Sequence, residues 1–255
     1  MVFDIKPYER KIFELISGCA EELQYPTYVV GGYVRDRLLA RESKDMDIVC
    51  VGSGIDLAQH LASKLRPRPR LTIYKRFGTA MIKHKDLEIE FVGARKESYS
   101  HNSRKPAVED GTLEDDQNRR DFTINALFAH PSSLGISDYF GGLEDLTARR
   151  IRFIGDARER IREDHLRILR YFRFQARFGA ELDQEAEDAC AELAETLKGL
   201  SRERVAKELL LLLGLPNPFP TVERMFQQKI LKVILPETNR KNIAQLDQLI
   251  AAESA

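Results

Sequence analysis

The chain has 255 residues, 40 Lys+Arg against 40 Asp+Glu, and a formal net charge of +0. That length accommodates one large domain or two modest ones, with a core that needs no disulfide or metal staple. A composition 31% charged and 43% hydrophobic reads as ordinary globular protein, and the longest apolar run, Leu209–Leu213, is far too short for a bilayer-spanning helix. Met1 is followed by Val-Phe-Asp-Ile-Lys with no signal-type segment, and the three cysteines (Cys19, Cys50, Cys190) lack metal-type spacing. The expectation is a cytoplasmic protein with reduced thiols and no membrane partner.

Residues 5–24 have apolar positions at helical spacing (Ile5, Ile12, Phe13, Leu15, Ile16, Leu23). A short strand, Tyr28–Val30, runs into Gly31-Gly32, then a helix Tyr33–Ala40, a strand Met46–Val51 and a helix Ile55–Leu65. Three β-type runs follow, Leu71–Tyr74, Thr79–Lys83 and Leu87–Val92, punctuated by Pro67, Pro69, Gly78 and the charged turn His84–Asp86. Residues 95–120 are polar, with Pro106 and Gly111, and predict a long loop. Beyond Asp138 strand signals stop. Helical patterns cover Leu143–Ala148, Ala157–Phe178, Gln184–Lys198, Arg202–Leu213, Val222–Gln228 and Ile243–Ala252, with Gly179 and Gly199 as C-caps and Ser201 as an N-cap. The order is a mixed α/β unit, then an all-helical one, divided near residues 140–155.

Zero net charge argues against nonspecific coating of polyanions, but the distribution is uneven. Arg149–Phe178 holds ten arginines, no lysine and four acids, a local +6. Either this is a solvated helix face or the arginines address phosphates and base edges, to which their planar fork is suited.

The strongest local group is Gly31-Gly32-Tyr33-Val34-Arg35-Asp36 followed by Asp45-Met46-Asp47. A glycine pair between strand and helix lets backbone N–H groups approach phosphate oxygens. Asp45 and Asp47 share one face of a strand, where two carboxylates call for a cation, and all-oxygen ligation suits Mg2+. Together with Arg35 they describe a site for a metal-bound triphosphate. A third carboxylate helps such a site; Glu88 and Glu90 have the same parity, and spacing does not choose between them. In the helix expected over Glu163–Phe178, Asp164 and Arg167 lie about 60° apart on one side, and Arg170, Arg173 and Arg177 form a second sector about 60° wide. That second sector is either a phosphate-facing ridge or structural glue.

Four ordered motifs spread over about 140 residues then carry a resemblance: the glycine–aspartate group; Arg119-Arg120-Asp121-Phe122-Thr123-Ile124-Asn125-Ala126; Asp138-Tyr139-Phe140-Gly141-Gly142-Leu143-Glu144-Asp145-Leu146; and Glu163-Asp164-His165-Leu166-Arg167 with Ile168-Leu169-Arg170. A weaker fifth is Ser201-Arg202-Glu203-Arg204-Val205 with Glu208. On these motifs the chain resembles class II nucleotidyltransferases of the CCA-adding enzyme and bacterial poly(A) polymerase family, from roughly residue 27 to residue 210.

The resemblance implies an α/β nucleotidyltransferase-like head, a small mixed sheet flanked by helices, over residues 1–150. An all-α nucleotide-selecting neck and the start of a body would occupy residues 151–255. It implies addition of C and A to the 3′ end of tRNA from CTP and ATP. Asp45 and Asp47 would hold Mg2+, with Glu90 as the third catalytic carboxylate, while Gly31, Gly32 and Arg35 bind the triphosphate. Arg120 would contact phosphate and Asp121 the ribose hydroxyls, with Asn125 and Arg170 in the nucleotide-binding set. Asp164 and Arg167 would read the edge of C or A, and the segment 95–120 would move when C addition gives way to A addition, unless it is merely a surface loop. Siblings share this chemistry: a CC-adding enzyme, an A-adding enzyme or a poly(A) polymerase. Two other classes compete, a catalytically incomplete RNA- or nucleotide-binding module and a small-molecule nucleotidyltransferase; the latter leaves Asp164 and Arg167 unexplained. Family members continue into further helical domains that grip tRNA, so the expectation is a full catalytic set with an incomplete RNA grip.

Overall fold

The computed structural model describes residues 4–98, 107–181, 183–243 and 245. The chain forms two compact units, Met1–Glu144 and Asp145–Ala255. In chain order the first unit contains α1 (Pro7–Leu23), β1 (Thr27–Val30), α2 (Gly32–Leu38), β2 (Asp45–Cys50), α3 (Gly54–Lys64), β3 (Arg70–Tyr74), β4 (Thr79–His84) and β5 (Leu87–Gly93). It continues with β6 (Arg95–Ser98), β7 (Ala107–Asp110), α4 (Leu113–Asn118), a 3-10 turn Thr123–Asn125, β8 (Phe128–Ala129) and β9 (Ile136–Ser137). The helix α5 (Gly142–Thr147) follows.

Among the described residues seven strands make one mixed sheet in the order β3-β4-β5-β2-β1-β8-β9; β2 and β5 run parallel and every other pair is antiparallel. Alternation along the strands gives this sheet two unlike faces. Met46, Ile48, Ala80, Ile82, Ile89 and Phe91 are fully buried on one face, where α3 packs across β2 to β5 and α1 packs on α3. Asp45, Asp47, Glu88 and Glu90 are on the other. The same period of two that buries the core thus fixes the face on which the carboxylates stand.

The second unit is helical: α6 (Ala157–Glu163), α7 (Arg167–Phe178), α8 (Gln184–Glu192), a 3-10 turn Ala194–Gly199, α9 (Arg202–Leu213), α10 (Phe219–Gln227) and α11 (Ile230–Ile234). Ser201 caps α9 through its hydroxyl and Gly179 closes α7 in the left-handed region, as expected. Among the described residues no helix is long and apolar enough to cross a membrane. Cys19, Cys50 and Cys190 are buried free thiols; burial pushes Cys50 up to about 12, which keeps it protonated and unreactive.

The mixed sheet followed by helices matches the expected fold class, and three local expectations are corrected. Residues 95–120 are not one loop: β6 and β7 form an antiparallel hairpin and α4 follows, opened by a Thr112–Asp115 capping box; residues 99–106 lie outside the described residues. The helix expected over Ala157–Phe178 is two helices. Asp164 between them is extended (φ −143°, ψ 104°), because its carboxylate accepts the Leu166 N–H at 3.1 Å and its carbonyl the Arg167 N–H at 3.0 Å. Such local side-chain-to-backbone bonds compete with helix continuation. Gly199 ends a 3-10 turn rather than capping an α-helix, with Leu200 as the cap. The helix expected over Ile243–Ala252 lies outside the described residues apart from Ile243 and Gln245.

Candidate active site

The turn from β1 into α2 is built on Gly31, with φ 69° and ψ −131°. A side chain there would have a strained backbone, and its Cβ would stand 2.9 Å from Arg120 Nη1 and 3.8 Å from Asp47 Oδ2. The glycine therefore lets a guanidinium and a carboxylate close on the turn together. Val30 pairs with Asp47 across β1 and β2, so strand register places the carboxylate beside the glycines.

On the other side of β2, parallel pairing sets Asp45 beside Glu88 and Asp47 beside Glu90. Glu88 is tied to Lys83 across β4, whereas Glu90 has a charged neighbour in Asp47. Burial pushes the Asp47 carboxyl up, Arg120 opposes this and Asp45 adds to it. Burial likewise raises Glu90, with Asp47 adding and Arg95 opposing. Crowded carboxylates with raised pKa values have a negative field that a cation would relieve. Among the described residues no three His, Cys, Asp or Glu side chains converge as a ready-made metal cage. Mg2+ is commonly held by one or two carboxylates with substrate phosphates completing the shell, and the all-oxygen pair Asp45 and Asp47 fits that mode.

Behind the turn runs a polar chain. Arg35, only 3% exposed, donates to Asp36 at 2.9 Å and to Asn125 Oδ1; Asn125 Nδ2 donates to Asp121 Oδ1 at 2.9 Å, which also accepts the Phe122 N–H at 2.8 Å. Arg120 reaches the fully buried Asp116 at 3.0 Å and the Asn125 carbonyl at 3.3 Å. Gly31, Gly32, Arg35, Asp45, Asp47, Glu90, Arg120, Asp121 and Asn125 all belong to the first unit.

The Asp138–Leu143 motif supports this chain. Asp138 accepts the N–H groups of Phe140, Gly142 and Leu143 at 3.3, 2.8 and 2.9 Å. It holds Gly142 so close to the Thr123–Asn125 turn that a Cβ would meet the Thr123 carbonyl oxygen at 2.3 Å. Asp138→Ala removes a cap and should cost about 1–2 kcal/mol, read as a lower midpoint in urea denaturation; an unchanged midpoint would show that the turn needs no such anchor.

In the second unit Asp164 engages Arg204 with both oxygens, at 3.0 and 2.8 Å. Arg167 is buried and donates to Glu163 at 2.6 Å and to the Arg160 carbonyl at 2.9 Å. Asp164 and Arg167 therefore do not share one continuous helix face, which corrects the sequence geometry. Arg173 proves to be glue, paired with Glu208 at 2.6 Å, and Arg170 stands 3.8 Å from the same carboxylate and over the Phe174 ring. Arg204 lies in the fifth motif, but the forty residues between it and Asp164 hide the pairing from sequence spacing.

Residues 27–152 match the family described as "Poly A polymerase head domain", and residues 179–242 match "Probable RNA and SrmB- binding site of polymerase A". The chain is 34% identical over 228 residues to an A-adding tRNA nucleotidyltransferase of Geobacter sulfurreducens, covering 87% of this chain and 26% of that protein. It is 31% identical over 256 residues to poly(A) polymerase I of Haemophilus influenzae, covering 92% of this chain and 53% of that one. Among solved structures, the apo form II of a CCA-adding enzyme superposes with a TM-score of 0.87 at 30% identity, covering 98% of this chain and 62% of the other. The chain thus spans about a quarter to a half of the length of these two curated relatives.

Proposed function

Because the chain belongs to the family of CCA-adding enzymes and bacterial poly(A) polymerases, we propose that it is a template-independent RNA nucleotidyltransferase that adds C and A to the 3′ end of tRNA from CTP and ATP. The observation that carries this reading is the register that puts Asp45 and Asp47 on one open sheet face beside the Gly31 turn. In the transfer, the RNA 3′-oxygen forms a bond to the α-phosphorus, the α–β anhydride bond breaks, and pyrophosphate leaves. Asp45 and Asp47 would hold Mg2+, which when bound neutralises phosphate charge and favours the attacking alkoxide.

Other residues take the remaining roles in this reading. The backbone at Gly31 and Gly32 and the Arg120 guanidinium receive the triphosphate. Arg35, buried against Asp36 and Asn125, acts by fixing the turn and by holding Asn125 against Asp121. Asp121 accepts from the ribose hydroxyls; a deoxyribose leaves that carboxylate short of a partner and is selected against. Asp164 and Arg167 pair with the exocyclic amine and the ring acceptors of C or A, while U and G present the wrong donors. For this, Asp164 has to turn at least one oxygen from Arg204 to the base.

The test is gel-resolved extension of tRNA ending before CCA, after C and after CC, each with CTP, ATP or both and Mg2+. Stepwise addition ending at CCA supports the reading. Addition of A alone, or a run of A, would assign the chain to a sibling activity of the kind that the Geobacter and Haemophilus relatives are named for. Mg-ATP binding without extension on any substrate would make it a nucleotide-binding module and sink the proposal.

A further inference from the structure

The basic run that dominates the sequence, Arg149–Arg177, is largely neutralised within its own unit. Arg150 and Arg152 pair with Asp145, Arg158 with Glu192, Arg160 and Arg167 with Glu163, and Arg170 and Arg173 with Glu208. The reverse holds for the stretch of β-type runs and breakers that follows α3. Between Arg66 and Lys85 there are seven cations and no acid. Three are engaged: Arg66 caps α3 through the Ser63 and Leu65 carbonyls, Lys83 pairs with Glu88, and Lys85 lies over the Tyr8 ring. The other four, Arg68, Arg70, Lys75 and Arg76, are exposed and form no side-chain hydrogen bond or ion pair with another described residue.

Their placement is specific. β3 is the edge of the seven-stranded sheet, and Lys75 and Arg76 lie in the short turn that joins it to β4. The register runs Arg70–Lys83–Glu88–Asp45 in one row and Thr72–Met81–Glu90–Asp47 in the next. Directly paired residues in adjacent strands share a face, so Arg70 and, by parity, Tyr74 stand on the same face as the paired aspartates. Three strand spacings separate them, about 14 Å. Two aromatic side chains accompany the cations: Tyr74 is 42% and Phe77 66% exposed.

We propose that this edge, β3 with its flanking Arg68 and the Lys75–Phe77 turn, is a binding track for single-stranded RNA, the segment that precedes the 3′ end entering the Asp45/Asp47 site. Four unpaired cations address consecutive phosphates, and Tyr74 and Phe77 offer stacking platforms for bases. Charge on an edge strand also serves to prevent strand-to-strand pairing between molecules. That role does not call for two exposed rings, which add apolar surface to the edge. An acidic protein segment would use the cations but leave the rings without stacking partners. The direction of the RNA rests on the proposed transfer reaction; the binding itself does not.

The test uses the full chain and fluorescence anisotropy of a labelled single-stranded oligoribonucleotide over a salt titration. In the variant Arg68→Gln/Arg70→Gln/Lys75→Gln/Arg76→Gln, the slope of log K against log salt should shrink by about 3, at about 0.7 per lost phosphate contact. The Tyr74→Ala/Phe77→Ala variant should bind roughly 10-fold or more weakly at every salt concentration with the slope kept. Lysine at positions 68, 70 and 76 should restore the slope, and Mg-ATP binding should be unchanged in all three. An unchanged slope in the quadruple variant overturns the proposal. So does a variant that loses RNA and a polyglutamate competitor in equal measure, or one that changes only by self-associating, which would assign the charges to edge protection. Loss of slope in a chain that extends no primer upholds the track and rejects the transferase; extension by wild type with an unaltered slope in the variant does the opposite.

Discussion

Asp47→Asn should abolish nucleotide transfer and at the same time raise the thermal stability of the metal-free protein. The first effect follows from the proposed chemistry. A carboxylate that holds a divalent ion on a transferring phosphoryl group supports several kcal/mol of charge stabilisation, and each 1.4 kcal/mol is tenfold, so single-turnover incorporation should fall by about 1000-fold or more. The second follows from the site as it stands without a cation. Burial and the neighbouring Asp45 both disfavour the Asp47 charge, and Arg120 offsets them only in part. Asparagine keeps the volume and removes the penalty. At about 2–4 °C per kcal/mol for a chain of this size, calorimetry in EDTA should show a rise of a few degrees. Asp45→Asn should lose transfer to the same extent with a smaller rise, because Asp45 is exposed. Wild type should gain stability on adding Mg2+ with a nucleotide, and Asp47→Asn should gain less. An Asp47→Asn enzyme that keeps its rate, or loses stability, would mean that this carboxylate is a structural group.

The head was legible because its signals are local. A glycine pair after a β-branched strand and an Asp-x-Asp at the next strand's start fix backbone, face and charge within about twenty residues of sequence, and the sheet assembles them as parity requires. The hairpin β6–β7 was not legible, since six of its eight residues are polar or charged and give no alternating apolar pattern in the sequence. Two-residue strands such as β8 and β9 fall below any periodic signal. The break at Asp164 was hidden because apolar spacing runs on through Leu166 and Leu169 while the decisive event is a side-chain bond to Leu166 N–H. Charge stayed open in the sequence for one reason: a sequence lists cations but does not pair them. Glu208 lies 35 residues beyond Arg173 and Arg204 40 beyond Asp164, so spacing left the choice between a phosphate-facing ridge and structural glue undecided. Around Arg68–Arg76 the strand Leu71–Tyr74 and its breakers were legible, but not that this strand forms an exposed edge of the sheet.

Glu208→Ala should destabilise the helical unit by about 3–5 kcal/mol. Glu208 is 6% and Arg173 8% exposed, and Arg173 Nε donates to Glu208 Oε2 at 2.6 Å while its guanidinium rests over Phe174. Truncation leaves a buried guanidinium with an aromatic face as its remaining neighbour and no counter-charge, and Arg170 loses the same carboxylate. Glu208→Gln keeps an acceptor and should cost less than half as much. Arg173→Met with Glu208→Met removes both charges and should recover most of the loss, because two desolvated ions are exchanged for apolar volume. Urea titrations of wild type, Arg173→Met, Glu208→Met and the double variant close a double-mutant cycle, and a Glu208→Ala cost within about 0.5 kcal/mol of zero, the level of an ordinary surface change, would refute the argument. The pair also clamps α7 to α9, the two helices that carry Arg167 in the first turn of one and Arg204 in the first turn of the other. Loosening that clamp frees Arg204 from its place against Asp164. The Glu208→Gln enzyme, folded but less tightly held, should therefore misincorporate U or G more often while its rate with the correct nucleotide falls little, a split between selection and chemistry that damage to the Asp45/Asp47 face would not produce.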